Sequence, residues 1–494
     1  MNSSLFINGR FVRGGSRKAV INPSTGEVLC EAELALDAEL DSALDSARRA
    51  FDSGIWKNLP FDKRRERLLK MASGIRERAG DLARLETLNS GKPIKETTFM
   101  DVPSAAQVFE ETAAHFETYL KDEAPAGLPA EAESRLLREP LGVALLIVPW
   151  NYPLLIACWK LAAALAAGNC VVLKPSSLAP LSAIALAEIA CEAGIPDGAL
   201  NVVNSEGALS GEKLCGDGRV DIISFTGSNE TGGAILAHSA AYPKKTLMEL
   251  GGKSAALIFA DTDLETAVNS CLVSVFLNQG QMCTAMSRIL VEKNICDAFC
   301  AEFSRKARKI ILGDAADFQT QMGPLISRTQ QQRMSAWVDK ARLQKAELLC
   351  GGKAPEGAIL SKGFFFEPTV FAGVTPEMDI FRTEVFGPVV ALGEFHGPEE
   401  AVRLCNDSDY GLAASVWTRD EELAVKVSSG INAGTVWVNT YGMFYPGLPY
   451  GGFKKSGFGK ELGRAGFLEY TRLKNVIIDR SGGNKPLVNY WYGF

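Results

Sequence analysis

Between residues 141 and 203 short, wholly apolar runs alternate with longer apolar stretches, punctuated by glycine, proline and asparagine. Residues 141–148 read as a buried strand, Pro149 to Pro153 as a turn, 154–167 as a helix and 170–173 as a second strand. Strands joined by a crossover helix run parallel. The alternation continues with a helix over 181–193 and strands over 200–203 and 222–225, the last leading into another helix. Strands at 246–250 and 255–259, separated by Gly251-Gly252, mark the crossing into a second α/β block that extends to about residue 455. Upstream, Asn22 to Glu27 is a turn between two strands, and 37–120 has helical periodicity with a charged, solvated face over 62–86. Residues 121–133 are expected to form an exposed loop or arm. The segment 470–494 ends in Tyr490-Trp491-Tyr492-Gly493-Phe494, aromatics expected to pack on another subunit.

The apolar run 141–173 is long enough for a bilayer, but Pro149, Asn151, Pro153, Lys160, Gly168 and Asn169 interrupt it. These residues suit the turns of a buried strand–helix–strand unit, so the run is expected to be core rather than membrane. At 494 residues the chain is expected to divide into two or three compact units. Its formal charge of −6, without a basic block, leaves no footprint for nucleic acid. Eleven cysteines without paired spacing, and no apolar signal region at the N-terminus, fit reduced thiols in the cytoplasm. The three histidines, His115, His238 and His396, sit in no HExxH, CxxC or GxSxG setting. That leaves neither a metal site nor a histidine-activated nucleophile to expect.

Ligands of an open parallel sheet bind beyond the carboxyl ends of its strands. Asn151, Lys174, Thr226-Gly227-Ser228 and Glu249 all fall just beyond, or at, such ends. The stretch 227–232 opens a helix straight after a strand, as a phosphate-binding turn or a plain helix cap would; it lacks the GxGxxG spacing. Among the cysteines Cys283 stands apart. It follows Asn278-Gln279-Gly280-Gln281-Met282, a polar stretch with a glycine that suggests a turn exposing the thiol. Without histidine, its activation falls to a carboxylate, a helix end or a bound cofactor.

The stretch Phe276 to Cys283 resembles the cysteine signature of the aldehyde dehydrogenase superfamily, and Met248 to Ser254 its glutamate signature. Pro149-Trp150-Asn151-Tyr152-Pro153, Lys174-Pro175, Phe225-Thr226-Gly227-Ser228 and Glu384-Val385-Phe386-Gly387-Pro388 resemble the family's motifs too, in order, across about 20–480. The resemblance implies an α/β fold: a Rossmann-like parallel-sheet cofactor domain over 1–120 and 142–251, and a second α/β catalytic domain over 252–468. A small β oligomerisation arm over 121–141 and 469–494 would build a homodimer or homotetramer.

It also implies the chemistry. Cys283 attacks the aldehyde carbon, Asn151 and the Cys283 backbone N–H hold the oxyanion, and Glu249 is the general base that releases the acid from a thioester. Lys174, Ser176 and Ser177 would hold the adenosine ribose of NAD or NADP. Gly227 and Ser228 would take the pyrophosphate, and Glu384 the nicotinamide ribose, with Phe386 beside the ring. Val148, Pro149, Trp150, Phe225, Thr226, Leu250 and Gly251 would complete that cleft. The aldehyde path would run past Tyr152, Trp159, Phe444 and Tyr450 to Met282 and Thr284.

Where many NAD-specific members carry glutamate three residues after the lysine, this chain has Ser177, which removes a negative charge facing a 2′-phosphate and leads to the expectation that NADP is accepted. Aromatic walls favour apolar aliphatic or aromatic aldehydes and could also cradle a quaternary ammonium. Betaine-aldehyde enzymes are similar at Tyr152 and Trp159, but Leu277 stands where they usually carry an aromatic. Four alternatives remain: a betaine- or amino-aldehyde dehydrogenase; a CoA-acylating dehydrogenase, which tends to lack the Glu249 base; an inactive scaffold; and a cofactor-free cysteine hydrolase.

Overall fold

The computed structural model describes residues 2–128, 132–358, 360–480 and 491–492. Two sheets organise it. In the first, the parallel strands Leu200–Val202, Cys170–Lys174, Val143–Ile147, Ile222–Thr226 and Lys245–Glu249 lie side by side in that order. Their residues are almost all buried, because helices cover both faces, and this is why they read as unbroken apolar runs. The chain leaves Val143–Ile147 toward one side and later returns to build the other, so a crevice opens beyond that strand's carboxyl end.

The apolar run that could have passed for a membrane span is this sheet's centre. Helix Pro153–Ala166 is buried at every position but Leu155, as expected for a helix enclosed by its neighbours. Among the described residues no helix is long and apolar enough to cross a membrane. The second sheet orders Glu347–Cys350, Thr369–Ala372, Val389–Phe395, Arg288–Glu292, Ala255–Ile258, Ala413–Trp417 and Thr435–Val438, parallel except at the first pair.

The turn at 22–27 joins antiparallel strands Ser16–Ile21 and Val28–Leu34, as its sequence suggested. The helical region resolves into Asp37–Ser53, Phe61–Glu77, Ala79–Ser90 and Val102–Tyr119, with a wide turn at Thr97–Asp101 before the last. Two features depart from expectation. The loop expected over 121–133 gives way at Ala132 to a strand, Ala132–Pro140, paired antiparallel along its whole length with Thr471–Asp479. Both faces of this ribbon carry charges, so no period-two pattern marks it. Gly457–Phe458, within the stretch assigned to the catalytic block, instead pairs with Lys245–Glu249 and closes the edge of the first sheet. Of the five C-terminal residues expected to pack on a partner, Trp491 and Tyr492 are exposed; Tyr490, Gly493 and Phe494 lie outside the described residues.

Candidate active site

Helix Leu264–Phe276 starts on an Asp263 cap, whose carboxylate accepts from Thr266 N at 2.8 Å, and ends just before the cysteine turn. Asn278, Gln279 and Gly280 there all take left-handed backbone angles (φ 47°, 56° and 68°). Such a run costs free energy and persists only where surroundings impose it. The surroundings are on hand. Asn278 N donates to the buried Glu96 carboxylate at 3.0 Å, and Asn278 Nδ2 to the Asn151 carbonyl at 2.9 Å. A Cβ on Gly280 would lie 2.2 Å from Gly387 O, so no other residue fits that position.

Beyond this turn the Cys283 Sγ lies 3.4 Å from the Tyr450 hydroxyl. The thiol is half-buried rather than exposed, as the polar stretch had suggested. Burial pushes it up to about 12; the Tyr450 hydroxyl lowers it, and Glu384 and Glu249 raise it. Glu249 is buried; among the described residues no side chain hydrogen-bonds its carboxylate, and the Gly452 backbone N–H is the group that faces it. Burial and then the neighbouring Glu461 hold its carboxyl well above the usual range, against the pull of Lys160 and Lys460. Lys160 donates to Ser224 Oγ at 2.7 Å and pairs with Glu461, three buried groups that sequence spacing did not single out. Asn151, expected to face the oxyanion, donates from Nδ2 to Gln281 O at 2.8 Å, so at least one of its amide hydrogens braces the cysteine turn.

Tyr152, Trp159, Met282, Thr284, Phe444 and Tyr450 line one cavity, which also reaches Cys283 and Glu249. Trp159, Phe444 and Tyr450 pack ring against ring at 5.4–5.9 Å. Tyr441 and Asp101 join them, unforeseen from sequence, and among the described residues no lysine, arginine or histidine lines the cavity. The Lys92 ammonium sits 3.5 Å from the Tyr152 ring centre and pairs with Asp101.

The other expected residues gather along the carboxyl edge of the first sheet. Lys174 Nζ donates to Ser205 O at 3.1 Å, and burial lowers it to about 8. Ser228 caps helix Asn229–Ser239 by accepting from Thr231 N at 3.2 Å; capping leaves other N–H groups of that first turn free to meet a phosphate. Glu384 accepts from Gly252 N at 2.9 Å and is raised by burial to about 7. Trp150 and Phe386 meet edge to face at 5.3 Å. A Cβ on Gly251 would lie 2.2 Å from the Glu384 carboxylate, and one on Gly227 2.4 Å from the Phe225 ring. Glycine at both positions is required because those neighbouring side chains pack directly on the backbone there. Val148 continues the central strand by donating to Lys174 O at 3.1 Å, Pro149 follows it, and Ser176 Oγ accepts from Leu178 N at 3.3 Å. Thr226 and Glu249 are register partners, and Leu250 lies against Gly232.

A family profile described as "Aldehyde dehydrogenase family" matches residues 11–476. A betaine aldehyde dehydrogenase of Bacillus subtilis is 40% identical over 494 residues, covering 100% of both chains. A chloroplastic aminoaldehyde dehydrogenase of Arabidopsis thaliana is 40% identical over 481 residues, 96% of this chain and 95% of the relative. Among solved structures, a betaine aldehyde dehydrogenase from Staphylococcus aureus in complex with NAD+ superposes with a TM-score of 0.96 at 37% identity, covering 99% of this chain and 97% of that one.

Proposed function

The chain belongs to the aldehyde dehydrogenase family, and from that premise we propose that it oxidises an aldehyde to the free acid through a thioester on Cys283. Enzymes of this family oxidise aldehydes with NAD(P), so what is inferred is how this chain's own residues do so. The observation that carries the reading is the buried Glu249 carboxylate on the same cavity as the thiol, without a side-chain hydrogen-bond partner among the described residues. A thiol near 12 keeps its proton until a base takes it, and burial makes the Glu249 carboxylate a stronger base than an ordinary one.

Cys283 adds to the aldehyde carbon, and the oxyanion is held by Asn151 Nδ2 and the Cys283 backbone N–H; one such donor contributes roughly 3–4 kcal/mol. The bound dinucleotide supplies the hydride acceptor. Lys174, Ser176 and Ser177 hold its adenosine ribose, the helix behind Ser228 its pyrophosphate and Glu384 its other ribose. Glu249 then takes a proton from the water that attacks the thioester.

The cavity walls support uncharged aliphatic or aromatic aldehydes, which gain by area burial against the rings. A trimethylammonium aldehyde is the second reading, favoured by the betaine aldehyde dehydrogenases among the relatives and by a cavity without a basic side chain. Substrates with a second carboxylate find no cation there. Ser177 in place of a glutamate supports use of NADP beside NAD.

The same reading makes 1–120 with 142–251 the cofactor domain and 252–468 the catalytic domain. It makes 121–141 with 469–494 an arm joining a homodimer or homotetramer, in the cytoplasm. The exposed Leu473 and Ile477 of the paired strands support the arm.

Formation of reduced cofactor at neutral pH tests the proposal, with NAD and NADP in parallel and aliphatic, aromatic, betaine and carboxylate-bearing aldehydes, without CoA. Turnover with either of the first three classes is expected. Turnover only after adding CoA would replace the hydrolytic reading with the acylating one, and silence throughout would favour a scaffold.

A further inference from the structure

At the adenosine end of the cleft stands a charge pair that the roles above do not use. Lys18, on strand Ser16–Ile21, donates from Nζ to Ser177 Oγ at 3.2 Å and forms an ion pair with Glu206. Glu206 immediately precedes helix Gly207–Gly216 and is close enough to Lys174 to favour its protonated form. The hairpin carrying Lys18 is fastened to this edge. Asn204 Nδ2 donates to Glu33 O at 3.1 Å, Ala35 N donates to Asn204 O at 2.7 Å, and Val20 and Ala32 pack with Leu181. Lys18 is thereby held over Ser177 from a part of the chain remote in sequence.

We propose that Lys18 and Glu206 set how well the adenosine end accepts a 2′-phosphate, which makes Lys18 a coenzyme-specificity-determining residue. The inference rests on the assignment of Lys174, Ser176 and Ser177 to the adenosine ribose. A 2′-phosphate brings nearly two negative charges to the position of Ser177, where the serine hydroxyl can donate but cannot neutralise. Lys18 is the cation already bonded to that hydroxyl. Glu206 opposes it twice, by engaging the Lys18 ammonium and by repelling the phosphate. The side chains are 29% and 50% exposed, so the pair can part at small cost, the carboxylate turning to water as the ammonium takes the phosphate. A 2′-hydroxyl makes no such demand and leaves the pair closed.

The two partners therefore act in opposite directions on one ligand. Binding of 2′,5′-ADP and of 5′-AMP to the full-length protein, by titration calorimetry, reads this without turnover. Lys18→Gln is expected to raise the ratio of the 2′,5′-ADP to the 5′-AMP dissociation constant about fivefold, and Glu206→Gln to lower it about threefold. The NADP-to-NAD ratio of kcat/KM should move in parallel, and added salt should shrink both effects. Lys18→Arg keeps the cation and is expected to keep the ratio, which guards against a misfolded glutamine variant. Equal shifts for both nucleotides, or none, would overturn the role of the pair while leaving the ribose site in place. Failure of the unsubstituted protein to bind either nucleotide would remove the ribose assignment and this inference with it.

Discussion

The two ends of the cleft are built on opposite electrostatic terms. Around the thiol, Glu249, Glu461 and Lys160 are buried, and burial raises the proton affinity of Cys283 and Glu249. Around Ser177, Lys18 and Glu206 are partly exposed and already paired. Buried groups are fixed in place and shifted in proton affinity, whereas wet, paired charges can change partners and so discriminate between ligands. A substitution at the first end should therefore remove rate, and one at the second should redistribute preference.

The sharpest break is Cys283→Ala, expected to abolish both the pre-steady-state burst of reduced cofactor and turnover; residual oxidation by stopped flow would move the nucleophile elsewhere. Glu249→Gln should keep a burst while steady-state turnover falls by about 10²–10⁴. Because this carboxyl is raised and must lose its proton to act as a base, kcat of the unsubstituted enzyme should rise with pH along a limb lying above the ordinary carboxylate range and decline as the solution is acidified. The variant should lose that limb of the profile. Glu96→Ala leaves the buried Asn278 N–H without an acceptor, at a cost of about 1–3 kcal/mol. A fall in Tm with about tenfold lower kcat and little change in aldehyde KM is expected, and Glu96→Gln should restore most of both. The smallest effect belongs to the wet end: Ser177→Glu should raise the NADP KM by about tenfold and hardly change that for NAD. An unchanged NADP constant would remove the meaning given to Ser177.

Strands such as Val143–Ile147 were readable because burial on both faces leaves only apolar residues, and the polar residue ending each strand marked the edge where ligands gather. Cys283, Glu249 and Asn151 were singled out by motif, since each motif is local. Lys160 with Glu461, Lys18 with Ser177 and Glu96 with Asn278 were not, because each pair joins distant segments and no spacing encodes it. Ala132–Pro140 escaped for another reason. Its run Glu-Ser-Arg-Leu-Leu-Arg-Glu lies in a two-stranded ribbon open on both faces, so burial imposes no alternation.

The pairing of Gly457–Phe458 with the strand that ends at Glu249 has a consequence for biosynthesis. Glu249 faces Gly457 across that ladder, and a Cβ on Gly457 would lie 1.8 Å from Met248 O. A ribosome emits the strand bearing the base, then Cys283, long before it emits the residues that close the sheet's edge and cover that strand. Pairing so distant in sequence forms late. A nascent or C-terminally cleaved chain would carry a thiol on an unfinished scaffold, its base not yet enclosed. Competence for oxidation thus waits until the chain has been made past Phe458.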